Sequence, residues 1–315
     1  MKRLALALAI AGCGTDNVDP QVVVDHLAMP ADLAVAGDQV YALQYDGSIL
    51  AISTQDHGTQ VIVPPVRQVA DNEIPVDLET YNLVVTTDAL YWTSNATGTP
   101  TVSRAALDGT GATTLDQDAL APFDSLVVTT GGVCWTGEAA ITCEHGVLAP
   151  GVTSPRALLA SGPTLFFASE GSLLSVPVAG GDPQTLATGL SDVRALALAS
   201  DQQMLWTDGG TRTCSDGLCT SNLDASLHTL SLAAPDAGPR VITNGYASID
   251  DGLALAGDRV FFTSEARLRS RSLSGIEVAG QETLVSHATL ACAALAVAGD
   301  ELYCAHDNQI DAIAY

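Results

Sequence analysis

Leu83-Val84-Val85-Thr86-Thr87-Asp88-Ala89-Leu90-Tyr91-Trp92 is the stretch on which the fold turns. An apolar run leads into a small polar turn, and a second run then carries an aromatic, the pattern of a β-hairpin rather than a helix. The phrase recurs from Leu33 to Tyr41, Leu126 to Trp135, Leu158 to Phe167, Leu196 to Trp206, Leu253 to Phe262 and Leu295 to Cys304, making seven copies, with an extra residue in the turn of the fifth. Their spacing, roughly 30 to 57 residues, brackets the period of four-stranded propeller blades. One or two further short strands follow each hairpin, such as Ser48 to Ser53 and Thr59 to Val63 in the first repeat.

The final repeat ends at Gln309 to Tyr315 after only three strands, while Gln21 to Leu27 has strand character ahead of the first full hairpin. A last blade built from both termini leaves no open sheet edge. The expected fold is therefore all-β: one β-propeller over residues 21–315, with seven blades and an N-terminal strand closing the ring. Six blades is the alternative, should the Leu126 or Leu158 repeat be misread.

The chain has 315 residues, long for one ordinary core but normal for a closed array of small sheets. With 47% hydrophobic residues it is no disordered chain, and the apolar residues fall in short runs below the roughly 20 needed to cross a bilayer. Thirty-six acidic residues face 12 basic ones, a net charge of −24, so the surface lacks the cations that neutralise phosphates. Nucleic acid and anionic lipid surfaces are excluded as partners on that ground.

Lys2 and Arg3 precede a short apolar run from Leu4 to Ile10, and Ile10-Ala11-Gly12-Cys13 follows. This resembles the signal peptide and lipobox of bacterial lipoproteins, which implies removal of residues 1–12, acylation of Cys13 and a tether over 13–20. The other reading is an ordinary secretory signal. Gly14 stands where an aspartate would retain such a protein at the inner membrane, which points to the outer membrane and an envelope location.

Six cysteines remain, in three local pairs. An Asp216-Gly217 turn sets Cys214 directly opposite Cys219 at a non-hydrogen-bonded position, within disulfide reach. A turn at Glu138-Ala139 does the same for Cys134 and Cys143. Cys292 and Cys304 pair by elimination, although the hairpin register leaves them offset. Without closely spaced Cys pairs and His partners, disulfides in an oxidising compartment are favoured over a metal site.

Tyr91-Trp92-Thr93-Ser94, Cys134-Trp135-Thr136-Gly137 and Leu205-Trp206-Thr207-Asp208 resemble the YWTD motifs of low-density-lipoprotein-receptor-type propellers, and Arg104-Ala105-Ala106-Leu107-Asp108-Gly109 is similar to that family's third strand and turn. About three repeats match, while Tyr41-Ala42 and Phe261-Phe262 depart from the motif. The resemblance implies the propeller architecture, although that family usually has six blades. The whole chain is also similar to the acidic propeller lipoproteins of myxobacteria. Neither resemblance implies a chemistry.

No G-x-S-x-G elbow and no H-E-x-x-H pair is present, and the six histidines are scattered singly. No cofactor and no metal is expected. A propeller instead gathers side chains where the chain enters each innermost strand. Those positions place Asp32, Asp124 and Asp251 around one channel mouth with Arg156 and Arg194, and with Tyr81 and Asn82 beside them. Arginine there suits a small polar or anionic ligand; the competing reading is that the arginines neutralise neighbouring aspartates. The connection from Val66 to Asn82, with Asp71, Glu73, Asp77 and Glu79, reads either as a partner-binding loop or as an acidic insertion.

The functional expectation is a non-catalytic, monomeric envelope lipoprotein that binds a protein or a small polar ligand, touching the membrane only through its lipid. The alternative is a propeller enzyme of lyase or lactonase type with its site in the central channel.

Overall fold

The computed structural model describes residues 19–69, 81–117, 125–200, 202–215, 218–273, 283–285 and 290–315. Cys13, the acidic residues at 71–79 and Asp124 lie outside the described residues, as do the side chains of Asp251 and Cys219. Seven four-stranded antiparallel sheets make up the fold, with a two-stranded hairpin as an outlier. In the first blade the strands are Pro30–Ala36, Gln39–Gln44, Ile49–Ser53 and Thr59–Val63. The first strands of the other six are Asn82–Val85, Leu126–Thr129, Arg156–Ser161, Val193–Ser200, Ile249–Ala256 and Ala294–Ala298. Each first strand neighbours that of the next blade, and the last neighbours the first, so the ring is closed and seven-fold.

Closure uses both termini. Gln21–Val24 pairs with Gln309–Ala314 as the fourth strand of the last blade, and Leu27 N donates to Asn308 O just beyond it. The six-bladed alternative is thereby set aside: the Leu126 and Leu158 repeats each build a complete sheet.

The hydrophobic residues do not share one central core. They form seven clusters, one at each blade boundary; Tyr41, Leu43, Leu83, Leu90 and Trp92 join the first two blades, and Leu33, Val40, Tyr303 and Ile310 join the last to the first. Second strands are sandwiched between two neighbouring blades, so Ala89–Ser94 is buried at all six positions. A strand covered on both faces reads as a continuous apolar run, which is why the aromatic opening is its strongest sequence mark.

The inner hairpins turn on two residues. Gly37, Gly162, Gly257 and Gly299 take the first central position with φ between 54° and 61°, the left-handed conformation a type II′ turn needs there. The extra residue of the fifth repeat is not in the turn. It is absorbed as a bulge between Leu198 and Ser200, and the strands regain register at Ser200 and Gln203.

The three motif threonines have one job. Oγ1 of Thr93, Thr136 and Thr207 accepts the N–H of Asn82, Ser125 and Ala195, the residue before each leading leucine. In the sixth blade, where Phe261-Phe262 replaces the motif, Thr263 Oγ1 is buried with no hydrogen-bond partner among the described residues. The Trp135 indole N–H donates to Asp116 Oδ2 at 2.8 Å, which ties the third blade to the outer strand of the second.

Disulfides join Cys134 to Cys143 and Cys292 to Cys304, with Cα separations of 3.9 and 5.3 Å. Cys134 and Cys143 are directly opposed, and Cys292 reaches Cys304 from the connection ahead of the last blade. The outlying hairpin, Arg212–Ser215 with Leu218–Ser221, is inserted between the second and third strands of the fifth blade and sets Cys214 opposite Cys219.

Candidate functional site

Two kinds of loop share one face of the ring: those entering a first strand and those joining second to third strands. Between the fourth and fifth blades they enclose a cleft of about 480 Å³. The fourth blade supplies Ser154, Arg156 and the turn from Ala168 to Ser172; the fifth supplies Ser191 to Arg194, Gly209, Gly210 and Arg212.

Its centre is Asp192. Arg156 Nη1 donates to Asp192 Oδ1 at 2.9 Å and Arg194 Nε to Oδ2, also at 2.9 Å. The two arginines that fall at equivalent repeat positions therefore meet on one carboxylate, 36 residues from the first and two from the second. Asp192 escapes the repeat alignment because it lies further out in the entering loop, although an acid two positions before Arg194 is a signal that could have found it.

The loop under Asp192 is built independently of its side chain. Asp208, the fourth residue of the Leu205-Trp206-Thr207-Asp208 motif, is buried and accepts the N–H groups of Ser191, Asp192 and Gly210 at 2.9–3.0 Å. Gly209 N donates to Asp192 O, and a Cβ on Gly209 would lie 2.6 Å from Asp192 Oδ2, so glycine leaves room for the ion pair. At the foot of the outlying hairpin, Thr211 donates from both N and Oγ1 to Asp224, holding that carboxyl below the usual range. Arg212 projects from this base into the cleft lining and makes no ion pair among the described residues.

The other expected site residues are engaged elsewhere. Asp32 accepts Leu33 N through Oδ1 and, across the blade boundary, Leu83 N through Oδ2 at 2.6 Å. Ser125 makes the same bridge two blades on, its Oγ accepting Leu158 N at 2.8 Å. Tyr81 is buried against Tyr45, its hydroxyl donating to Tyr45 O and its pKa pushed up to about 12 by burial. Asn82 Nδ2 donates to Thr93 Oγ1. Asp32, Ser125 and Tyr81 thus join blades and Asn82 is bonded within the second blade; none of the four lines the arginine cleft.

One Ser–His pair has the spacing of a nucleophile and its base: Ser226 Oγ lies 2.7 Å from His228 Nε2. It belongs to the packing of the fifth blade. Ser226 is 5% exposed, and His228 is stacked on the buried Trp206, with burial lowering its pKa. Neither residue lines the cleft. Among the described residues, no group of three or more His, Cys, Asp and Glu side chains is placed to hold a metal ion.

No protein-family model matches the chain, and no curated protein matches it in sequence. Solved structures match it widely in shape. The WD40 β-propeller domain of Doa1 superposes with a TM-score of 0.63 at 14% identity, covering 94% of this chain and 97% of that one. The computationally designed Ika8 protein gives 0.60 at 13% identity, over 95% and 100%. At such identities the likeness speaks for the fold alone: the chain is a seven-bladed β-propeller.

Proposed function

We propose that this propeller is an exported, lipid-anchored binding module of the cell envelope, taking a small polar or anionic ligand in the cleft between its fourth and fifth blades. Propellers commonly serve as interaction scaffolds, presenting loops on a rigid ring, and recognition concentrates on such loops. The observation that carries the reading is the meeting of Arg156 and Arg194, from successive blades, on Asp192 in a cleft of ligand size. Three guanidinium groups line it, with the carboxylates of Asp192 and Glu170, on a chain of net charge −24 with only 12 basic residues.

Export and anchoring rest on the leader from Lys2 to Cys13, and the two disulfides suit an oxidising compartment. The shared role of Thr93, Thr136 and Thr207 supports kinship with YWTD repeats. A thermal-shift screen of anionic and neutral metabolites on the full chain tests the binding reading. A hit that persists in the Arg156→Ala/Arg194→Ala variant would refute the site. Palmitate labelling of expressing cells, lost in Cys13→Ser, tests the anchor, and labelling that survives the change sinks it.

A further inference from the structure

We infer that the cleft is an oxyanion site in which Asp192 stands in for the ligand, and that Arg212 on the outlying hairpin is its third cationic arm. The inference deepens the binding role proposed above and rests on it.

Asp192 shows what the arginines are arranged to hold. Each of its two oxygens takes one guanidinium N–H at 2.9 Å, and the two donors come from different blades, so the geometry of paired donation to an oxyanion already exists. Removing the carboxylate would not collapse the loop, because the Asp192 backbone is secured by Asp208 and Gly209. The guanidinium of Arg156 stays accessible, its side chain 44% exposed. Arg212, exposed and without an ion pair among the described residues, faces the same space from a base locked by Thr211 and Asp224.

The rest of the lining selects the ligand's chemistry. Among the described residues it contains serines, glycines, charged residues, Ala168 and Val193, and no aromatic ring. A flat sugar face or a nucleobase would find no aromatic ring to stack on. Charge and hydrogen bonding are the available attractions, and they favour a compact group with several acceptor oxygens: a phosphate or sulfate, free or as a monoester. The volume of about 480 Å³ admits such a group with a small organic substituent.

In this arrangement Asp192 competes with the ligand for Arg156 and Arg194. The wild-type cleft binds an oxyanion weakly, and a ligand that outcompetes the carboxylate gains both arginines together with Arg212.

Isothermal titration of the full chain in detergent tests this, with inorganic phosphate, inorganic sulfate, glycerol 3-phosphate and neutral glycerol as probes. Asp192→Asn keeps the shape and removes the competing charge, so phosphate or sulfate affinity rises by about tenfold or more, the effect of one charge-assisted interaction. Arg212→Ala in the Asp192→Asn background lowers it by a similar factor, and glycerol binds neither. Asp192→Ala checks that the gain follows loss of charge, and unshifted melting curves without ligand show that each variant folds. Tighter binding of glycerol 3-phosphate than of inorganic phosphate marks the monoester as the form recognised; the reverse marks the free ion. If a probe binds and is lost in Arg156→Ala/Arg194→Ala, yet neither Asp192→Asn nor Arg212→Ala alters its affinity, the inference is overturned while the cleft remains the binding site. Binding of glycerol alone overturns the ligand class. Should a metabolite hit persist in the double arginine variant, the underlying site falls, and the inference with it.

Discussion

Replacing Asp32 by alanine removes the acceptor that Leu83 N–H uses across the boundary between the first two blades. Leu83 is 4% exposed, so water cannot readily substitute, and the 2.6 Å bond from its N–H to Asp32 Oδ2 is of charge-assisted length. A hydrogen bond to a charged group contributes about 1.5–3 kcal/mol, and leaving a buried donor unpaired costs a similar amount that overlaps with it. The expected loss for Asp32→Ala is therefore about 2–3 kcal/mol. Asp32→Asn keeps an acceptor without the charge and loses roughly half of that. Ser125→Ala removes the neutral counterpart, the 2.8 Å bond to Leu158 N, and costs about 1 kcal/mol. At about 2.1 cal/mol/K of unfolding entropy per residue, a chain of 315 residues loses about 1.5 °C of melting temperature per kcal/mol, so Asp32→Ala melts roughly 3–5 °C below the parent. Calorimetry of the oxidised chain, with the two milder variants in parallel, reads the order directly. If Asp32→Ala melts within about 1 °C of the parent, or no lower than Ser125→Ala, the boundary does not depend on this carboxylate as argued.

Thr136→Val and Thr207→Val each strand a first-strand N–H and cost about 1–2 kcal/mol, whereas Thr263→Val, whose hydroxyl has no partner among the described residues, is neutral or stabilising; urea midpoints for the three variants separate these outcomes, and equal losses at all three sites would refute the motif role. Burial depresses the pKa of His228 below its ordinary 6.5, so the unfolded chain holds more protons between the two values and stability falls as pH drops below about 6.5. Urea midpoints taken at pH 8 and about pH 5.5 therefore converge in His228→Gln relative to the parent; an unchanged difference argues against a neutral buried imidazole. Deleting either disulfide as an alanine pair costs about 2–3 kcal/mol for loops of 9 and 12 residues, and each deletion lessens the effect of reductant on the melting temperature; a melting temperature indifferent to reductant in the parent would contradict both bridges.

The blades were legible in the sequence because everything that makes a hairpin is local. Leu83 pairs with Trp92 and Leu126 with Trp135, nine residues apart, and alternation, turn residues and the aromatic opening all fall within one reading window. The register of Cys134 against Cys143 follows from the same short arithmetic. The closing strand could be foreseen because a missing fourth partner at one end and a spare strand at the other have one obvious resolution.

Aligning the repeats also placed Tyr81, Arg156 and Arg194 at equivalent positions, with Asp32 one position further on, but equivalence around a ring is not proximity. Residues in non-adjacent blades are held apart by the ring, and only neighbours meet. Asp32 thus turns to Leu83 in the next blade, and Arg156 meets Arg194 through Asp192, which lies outside the repeat pattern. The chain by itself determined seven hairpins, their internal registers and the way the ring ends, because each depends on hydrogen bonding and burial between residues close in sequence. Tertiary structure alone decided which of the scarce arginines share a carboxylate and face a common cleft, because that depends on how two twisted sheets pack and on which loops their packing brings to one face.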